Sequence, residues 1–285
     1  METFPDSIGI IGAGTMGSGI AQVCAVAGVN VTMLDVNEAA LKRGMDTIIR
    51  NLDRMVAKEK LTASDRDAAL AKIRTGLDYG ALQSADMVIE AATENLGLKL
   101  KILRQVAKCV GKDAIIATNT SSISITQLGA VLDAPECFIG IHFFNPVPAM
   151  LLLEVIRGVQ TSDATHAATM AFAKTVGKVP ITVRNSPGFV VNRILCPMIN
   201  EAIFVLQEGL ASAEGIDAGM RLGCNHPIGP LALADMIGLD TLLSIMGVLY
   251  DEFNDPKYRP ALLLKEMVAA GRLGRKNKQG FYSYP

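Results

Sequence analysis

Short, wholly apolar runs alternate along this chain with longer stretches whose apolar positions recur every three or four residues. SIGIIGAG, NVTMLDV, DMVIEAA and AIIATNT are the short runs, and each reads as a buried strand. TMGSGIAQVCAVAGV reads as a helix closed by Gly28, and NLGLKLKILRQVAKCV as another. The longest helical pattern, from Glu38 to Lys60, sets Leu41, Met45, Ile48, Leu52 and Met55 on one face. Strand–helix–strand repetition of this kind predicts an α/β fold with a doubly wound, mostly parallel sheet covered on both faces.

The pattern changes at RNSPGF, where Ser186 followed by Pro187 reads as a helix N-cap with proline at N1. Strand signals then stop, apart from a short GFYSY end. FVVNRILCPMINEAIFVLQEGL is apolar nearly all round, as a buried helix is. AEGIDAGMRLG, GLDTLLSIMGVLYDEF and PALLLKEMVAAGRLG continue the helical series. The expected division is an α/β domain over 1–185 and an all-helical domain over 186–285.

Composition adds constraints. Half of the 285 residues are hydrophobic and the mean hydropathy is +0.32, a surplus that often ends in a subunit interface. A net charge of −1 gives no basic field for nucleic acid or anionic lipid. The five cysteines show no CxxC pairing and read as reduced, buried thiols of a cytoplasmic protein. Three distant histidines argue for no metal site. METFPDSIGI lacks the basic region of a signal peptide, and no apolar run reaches the ~18 residues of a membrane span, so no membrane association is expected.

Gly12-Ala13-Gly14-Thr15-Met16-Gly17 fits G-x-G-x-x-G after a strand and at the start of a helix. The glycines give the tight turn, the close approach of a pyrophosphate and the close helix–strand packing. The helix N-terminus offers unbonded N–H groups to phosphates. Asp35 ends the second strand where a ribose 2′-OH would lie, and it would repel a 2′-phosphate, so NAD is expected rather than NADP. A non-catalytic NAD-binding sensor or structural protein would need no more than this.

An enzyme also needs a proton-transfer group. His166 falls in a surface helix and His226 in a Pro/Gly turn, which leaves His142 in IHFFNPVPAMLLLEVIRG. If the strands flanking this segment fold back across a turn centred near Pro148, Glu154 stands opposite His142. A carboxylate inside an apolar strand needs a partner, and the imidazole supplies one. Glu154 would then fix the tautomer of His142 and favour the imidazolium. A half-exposed acid and a satisfied core histidine remain the alternative on this stretch alone.

HFFNPVP, the upstream NTSS, the downstream PGFVVNR and the glycine loop together resemble the L-3-hydroxyacyl-CoA dehydrogenases. The resemblance runs nearly end to end, through the loop NHPIGPLALADMIGLD and the terminal GRKNKQGFYSY, and is closest to the bacterial short-chain 3-hydroxybutyryl-CoA dehydrogenases. It implies a Rossmann-type domain with a helical partner, NAD as cofactor, and interconversion of 3-hydroxybutyryl-CoA and acetoacetyl-CoA. It assigns His142 as acid/base, Glu154 as its partner, and Ser121 and Asn192 as substrate contacts. Ser121 could otherwise cap a helix beginning near Ser124. The resemblance also implies cofactor contacts at Glu94, Lys99, Asn119 and Lys276, although Glu94 and Lys99 could equally be a solvated pair. Arg43, Arg50, Arg54 and Lys58 share a helix face, and Lys58 and Arg54 are the candidates for the CoA phosphates. The family pairs its helical domains, so a homodimer is expected. The intact Ser121, His142, Glu154 and Asn192 argue against the non-catalytic reading.

Overall fold

A computed structural model describes residues 5–285. The chain divides into two compact units, the first ending at Asn185 and the second running from Ser186 to Pro285.

The first unit is built on one eight-stranded sheet in the order β3-β2-β1-β4-β5-β6-β7-β8. Strand β1 (Ser7–Ile11) leads through helix α1 (Thr15–Val26) to β2 (Asn30–Leu34), which pairs with it in parallel. Asn37 starts the long helix α2 (Glu38–Ala57) by accepting the Ala40 N–H at 2.9 Å. Leu41, Ile48 and Leu52 of α2 are buried, with Met45 and Met55 packed beside them. The helix stops short of the expected Lys60: Lys58 is its C-cap and Glu59 takes φ +55°. A helix and an edge strand that periodicity did not mark follow, α3 (Ala63–Ala71) and β3 (Ile73–Gly76). Only one side chain of α3 is buried, so it carries almost no apolar signal.

Next come β4 (Met87–Glu90), α4 (Leu96–Cys109), β5 (Ile115–Thr118), the short α5 (Ile125–Gly129) and β6 (Phe138–Phe143). The order reverses between β1 and β4, and in such sheets ligands bind at the carboxyl ends of the strands flanking that point. Strand β7 (Leu152–Arg157) returns antiparallel to β6, and after α6 (Asp163–Thr175) the last strand, β8 (Val179–Arg184), lies parallel to β7.

The second unit is helical: α7 (Val191–Gln207), α8 (Ala213–Gly223), α9 (Pro230–Ile237), α10 (Leu239–Phe253) and α11 (Leu262–Ala269). Its core joins Ile199, Ile203, Leu231, Leu242, Met246 and Leu264. Three sequence expectations are corrected by this unit. Ser186 does not cap α7, because Gly188 (φ +71°) and Phe189 (φ +50°) bend the chain out of helical geometry, and the helix begins at Val191. The segment read as the loop NHPIGPLALADMIGLD contains α9, which opens on Pro230. Gly229 has no side chain to cap that helix, and Asp217 does so from α8, accepting the N–H groups of Leu231 and Ala232 at 2.8 and 2.9 Å. The expected GFYSY strand is reduced to isolated bridges at Gly274–Gln279 and Gln279–Ser283. Asp235 holds this terminal segment instead, accepting from the N–H groups of Phe281 and Tyr282, both at 2.9 Å.

The cysteines also differ from expectation. Cys24 and Cys196 are buried, Cys109 and Cys137 are partly so, and Cys224 is exposed. Among the described residues, no single helix is long and apolar enough to cross a membrane, and no cluster of three or more His, Cys, Asp or Glu could hold a metal ion.

Candidate active site

The carboxyl ends of β1, β4, β5 and β6 lie side by side, and the candidate residues gather along this edge. Ile11 is in register with Glu90, Glu90 with Thr118, and Thr118 with Gly140.

At the β1 end, Gly12 takes φ +102° and donates its N–H to the Leu34 carbonyl at 2.7 Å. A Cβ on Gly12 would meet the backbone of Ala91 and Ala92 at 2.7–3.0 Å, so only glycine fits. A Cβ on Gly17 would run into the Gly12 carbonyl oxygen. Around Gly14, by contrast, nothing lies within 4 Å of that position. Gly14 is the N-cap of α1 and offers no side-chain cap, so the first N–H groups of the helix, Met16 among them, have no partner from it. That is the cradle a pyrophosphate fills. Asp35 accepts the Ala13 N–H at 2.7 Å and the Val36 N–H at 2.7 Å, which holds its carboxylate against the glycine loop.

Beneath the loop lies a cluster the sequence did not disclose. Glu90, 0 % exposed at the end of β4, accepts hydrogen bonds from the Thr118 hydroxyl (2.8 Å), the Ala92 N–H (2.9 Å) and the Lys99 ammonium. Lys99 is 1 % exposed, so it is not half of a solvated pair with Glu94. Lys99 shares the buried face of α4 with Ile102, Leu103 and Val106, a stripe at helical spacing that was there to be read. Glu94 is exposed, and its carboxylate accepts the Thr120 hydroxyl at 2.7 Å and the Ser121 N–H at 2.6 Å. Ser121 does not cap the next helix; Ser124 does, accepting the Gln127 N–H at 3.3 Å.

Asn119 follows β5, and its side-chain oxygen accepts the Phe143 N–H at 2.9 Å, tying the end of β5 to the residue after His142. His142 and Glu154 are directly opposite in the antiparallel β6–β7 pair. His142 Nδ1 lies 2.7 Å from Glu154 Oε2, with the imidazole 5 % and the acid 0 % exposed. The Phe144 ring packs against the imidazole, centroids 4.5 Å apart. A carboxylate on Nδ1 assigns that nitrogen the proton and fixes the tautomer of the ring.

The 3-hydroxyacyl-CoA dehydrogenase NAD binding domain matches residues 7–186, and the C-terminal domain of the same family matches residues 188–284. The chain belongs to the 3-hydroxyacyl-CoA dehydrogenase family. It is 51 % identical to a 3-hydroxybutyryl-CoA dehydrogenase of Bradyrhizobium diazoefficiens, over 97 % of this chain and 94 % of that protein. It is 46 % identical to one from Clostridioides difficile, over 97 % and 99 %. Among solved structures it resembles (S)-3-hydroxybutyryl-CoA dehydrogenase PaaH1 from Ralstonia eutropha, with 64 % identity, a TM-score of 0.96 and 99 % of each chain covered.

The remaining candidates of this family member belong to α2, to α6 and to the second unit. Asn192 is buried in the first turn of α7. The Lys276 ammonium is paired with the Asp240 carboxylate at the start of α10. Burial alone would raise the Asp240 pKa, but the hydrogen bonds from Lys276 and the Thr241 backbone bring it below the usual carboxylate range. On α2, Arg54 and Lys58 are exposed, as are Arg43 and Arg50, and Arg50 is engaged by the Thr47 hydroxyl at 3.0 Å. His166 lies in α6 against the Thr182 hydroxyl at 2.9 Å. Burial, and then the charge of Arg157, lower its pKa against the opposing pull of Asp163.

Proposed function

We propose that this protein oxidises (S)-3-hydroxyacyl-CoA to 3-oxoacyl-CoA with NAD and runs the reverse reduction, with 3-hydroxybutyryl-CoA and acetoacetyl-CoA as its pair. The observation that carries this reading is the buried His142–Glu154 pair, on the same sheet edge as a glycine loop shaped for a dinucleotide. The relatives named 3-hydroxybutyryl-CoA dehydrogenases favour the four-carbon substrate.

The residues divide the work. The N–H groups around Gly12, Gly14, Met16 and Gly17 would hold the pyrophosphate, and Asp35 would take the adenosine ribose. NAD held there would supply the acceptor for the hydride of substrate C3. His142 Nε2 takes the proton from the 3-hydroxyl and returns it to the developing alkoxide in the reverse direction. Glu154 keeps the ring in one tautomer and one orientation. Asn119 holds the backbone just after His142. The Ser121 hydroxyl and the Asn192 amide contact the substrate oxygens. Glu94 orders Thr120 and Ser121 and reaches the cofactor side of that turn. Lys99 supports the glycine-loop end of the sheet through Glu90, and Lys276, paired with Asp240, is a cofactor contact on the family resemblance alone. Lys58 and, more weakly, Arg54 meet the CoA phosphates. The working form is a cytoplasmic homodimer joined through helical domains.

The test is direct. Purified protein mixed with NADH and acetoacetyl-CoA consumes the reduced nicotinamide, read by its absorbance. Binding of NADH without turnover would leave the non-catalytic sensor as the better account.

A further inference from the structure

The loop joining β6 to β7, residues 144–151, lies between the two members of the catalytic pair. It folds into a tight turn in which the N–H groups of Ala149 and Met150 both donate to the Pro146 carbonyl at 3.0 Å. Its first residue, Phe144, carries the ring that packs on His142. Val147 is buried in the core of the sheet unit. A Cβ on Gly19 would come within 2.9 Å of the Val147 Cβ, so α1 lies directly on the loop. This is the same helix that opens on the dinucleotide loop.

Lys178, just before β8, is buried in this seam. Its ammonium donates to the carbonyl oxygens of Val147 (2.5 Å) and Met150 (2.8 Å). Unlike Lys99, it is held by main-chain carbonyls rather than by a carboxylate, a costly place for a charge unless those carbonyls must be gathered. Burial lowers its pKa, and Cys24 of α1 lies close enough to act on it.

We propose that Lys178 is a positioning residue for the reaction: it clamps the loop, and through Phe144 the loop sets the imidazole of His142 against the dinucleotide helix. The inference rests on His142 being the acid/base. A small error in the placement of reacting groups slows chemistry far more than it weakens binding.

The experiment compares wild type with Lys178→Met, Lys178→Arg and His142→Gln in the acetoacetyl-CoA reduction. Lys178→Met should lower kcat by about tenfold or more while the NADH Kd stays within about twofold. Its primary isotope effect with deuterated NADH should be at least as large as that of the wild type, because the chemical step becomes slower. Lys178→Arg, which keeps charge and donors, should recover most of the rate. A folded Lys178→Met with kcat within about twofold of wild type overturns the inference, and so does a lowered kcat that active-site titration traces to a smaller active fraction. If Lys178→Met does not fold, Gly19→Ala presses on Val147 from the α1 side without touching the charge and is judged by the same two readouts. Normal turnover by His142→Gln would sink the reading of the site itself. An inactive His142→Gln beside a normal Lys178→Met sinks only the clamp.

Discussion

Replacing Glu90 by Gln tests how much the carboxyl end of β4 depends on one buried ion pair. Glu90 is 0 % exposed and Lys99 1 %. The carboxylate answers three donors: the Lys99 ammonium, the Thr118 hydroxyl at 2.8 Å and the Ala92 N–H at 2.9 Å. Glutamine keeps the shape and one acceptor oxygen, but it brings an NH2 group where an acceptor is needed and leaves the ammonium without its counter-charge. Breaking a buried pair from one side costs about 3–5 kcal/mol. Urea unfolding of Glu90→Gln should therefore show a loss in that range. The apolar double replacement Glu90→Leu with Lys99→Met should be more stable than either single replacement, since no buried charge is left unpaired. A loss below about 1 kcal/mol for Glu90→Gln, or a double variant no more stable than the better single, would refute this account of the cluster.

Two further outcomes follow from the geometry. Gly17→Ala should weaken NADH binding, measured by fluorescence titration, because the new methyl drives α1 off the Gly12 carbonyl; unchanged affinity would show that the loop tolerates the shift. Tyr282 has its pKa raised, first by burial and then by its hydrogen bond to Asp217, 2.8 Å away. Unfolded tyrosine ionises near pH ~10, so above that pH the unfolded chain holds fewer protons than the native one and stability falls as pH rises. Tyr282→Phe should flatten this alkaline decline in unfolding experiments, and an identical slope would exclude Tyr282 as its source.

How far the sequence discloses this site depends on the kind of pattern each residue sits in. The register of His142 with Glu154 was legible because a turn centred near Pro148 sets these two opposite each other, and the structure has them as one of the four facing pairs of β6 and β7. Glu90 carries the same signal, an acid closing an apolar strand, but its partner lies on a helix rather than across a turn, so no symmetry pointed to it. Lys99 was visible in principle, since it falls on the buried stripe of α4. Lys178, between Gly177 and a strand, has the look of a solvated turn residue; only the fold brings the loop carbonyls to it. Edge strand β3 escaped because half of its positions face water. The start of α7 was misplaced because Ser-Pro has the local chemistry of a cap, while the positive φ at Gly188 and Phe189 comes from tertiary packing.

The central claim is that His142, held by Glu154, moves the proton. The most direct measurement is the turnover of His142→Gln with NADH and acetoacetyl-CoA beside its NADH affinity. Glutamine keeps a polar side chain near Glu154 but cannot exchange a proton near neutral pH. The account predicts that turnover falls by about 10²–10⁴-fold, the usual worth of a general acid/base, while NADH binds as it does to the wild type. Near-normal turnover with normal NADH binding would contradict it.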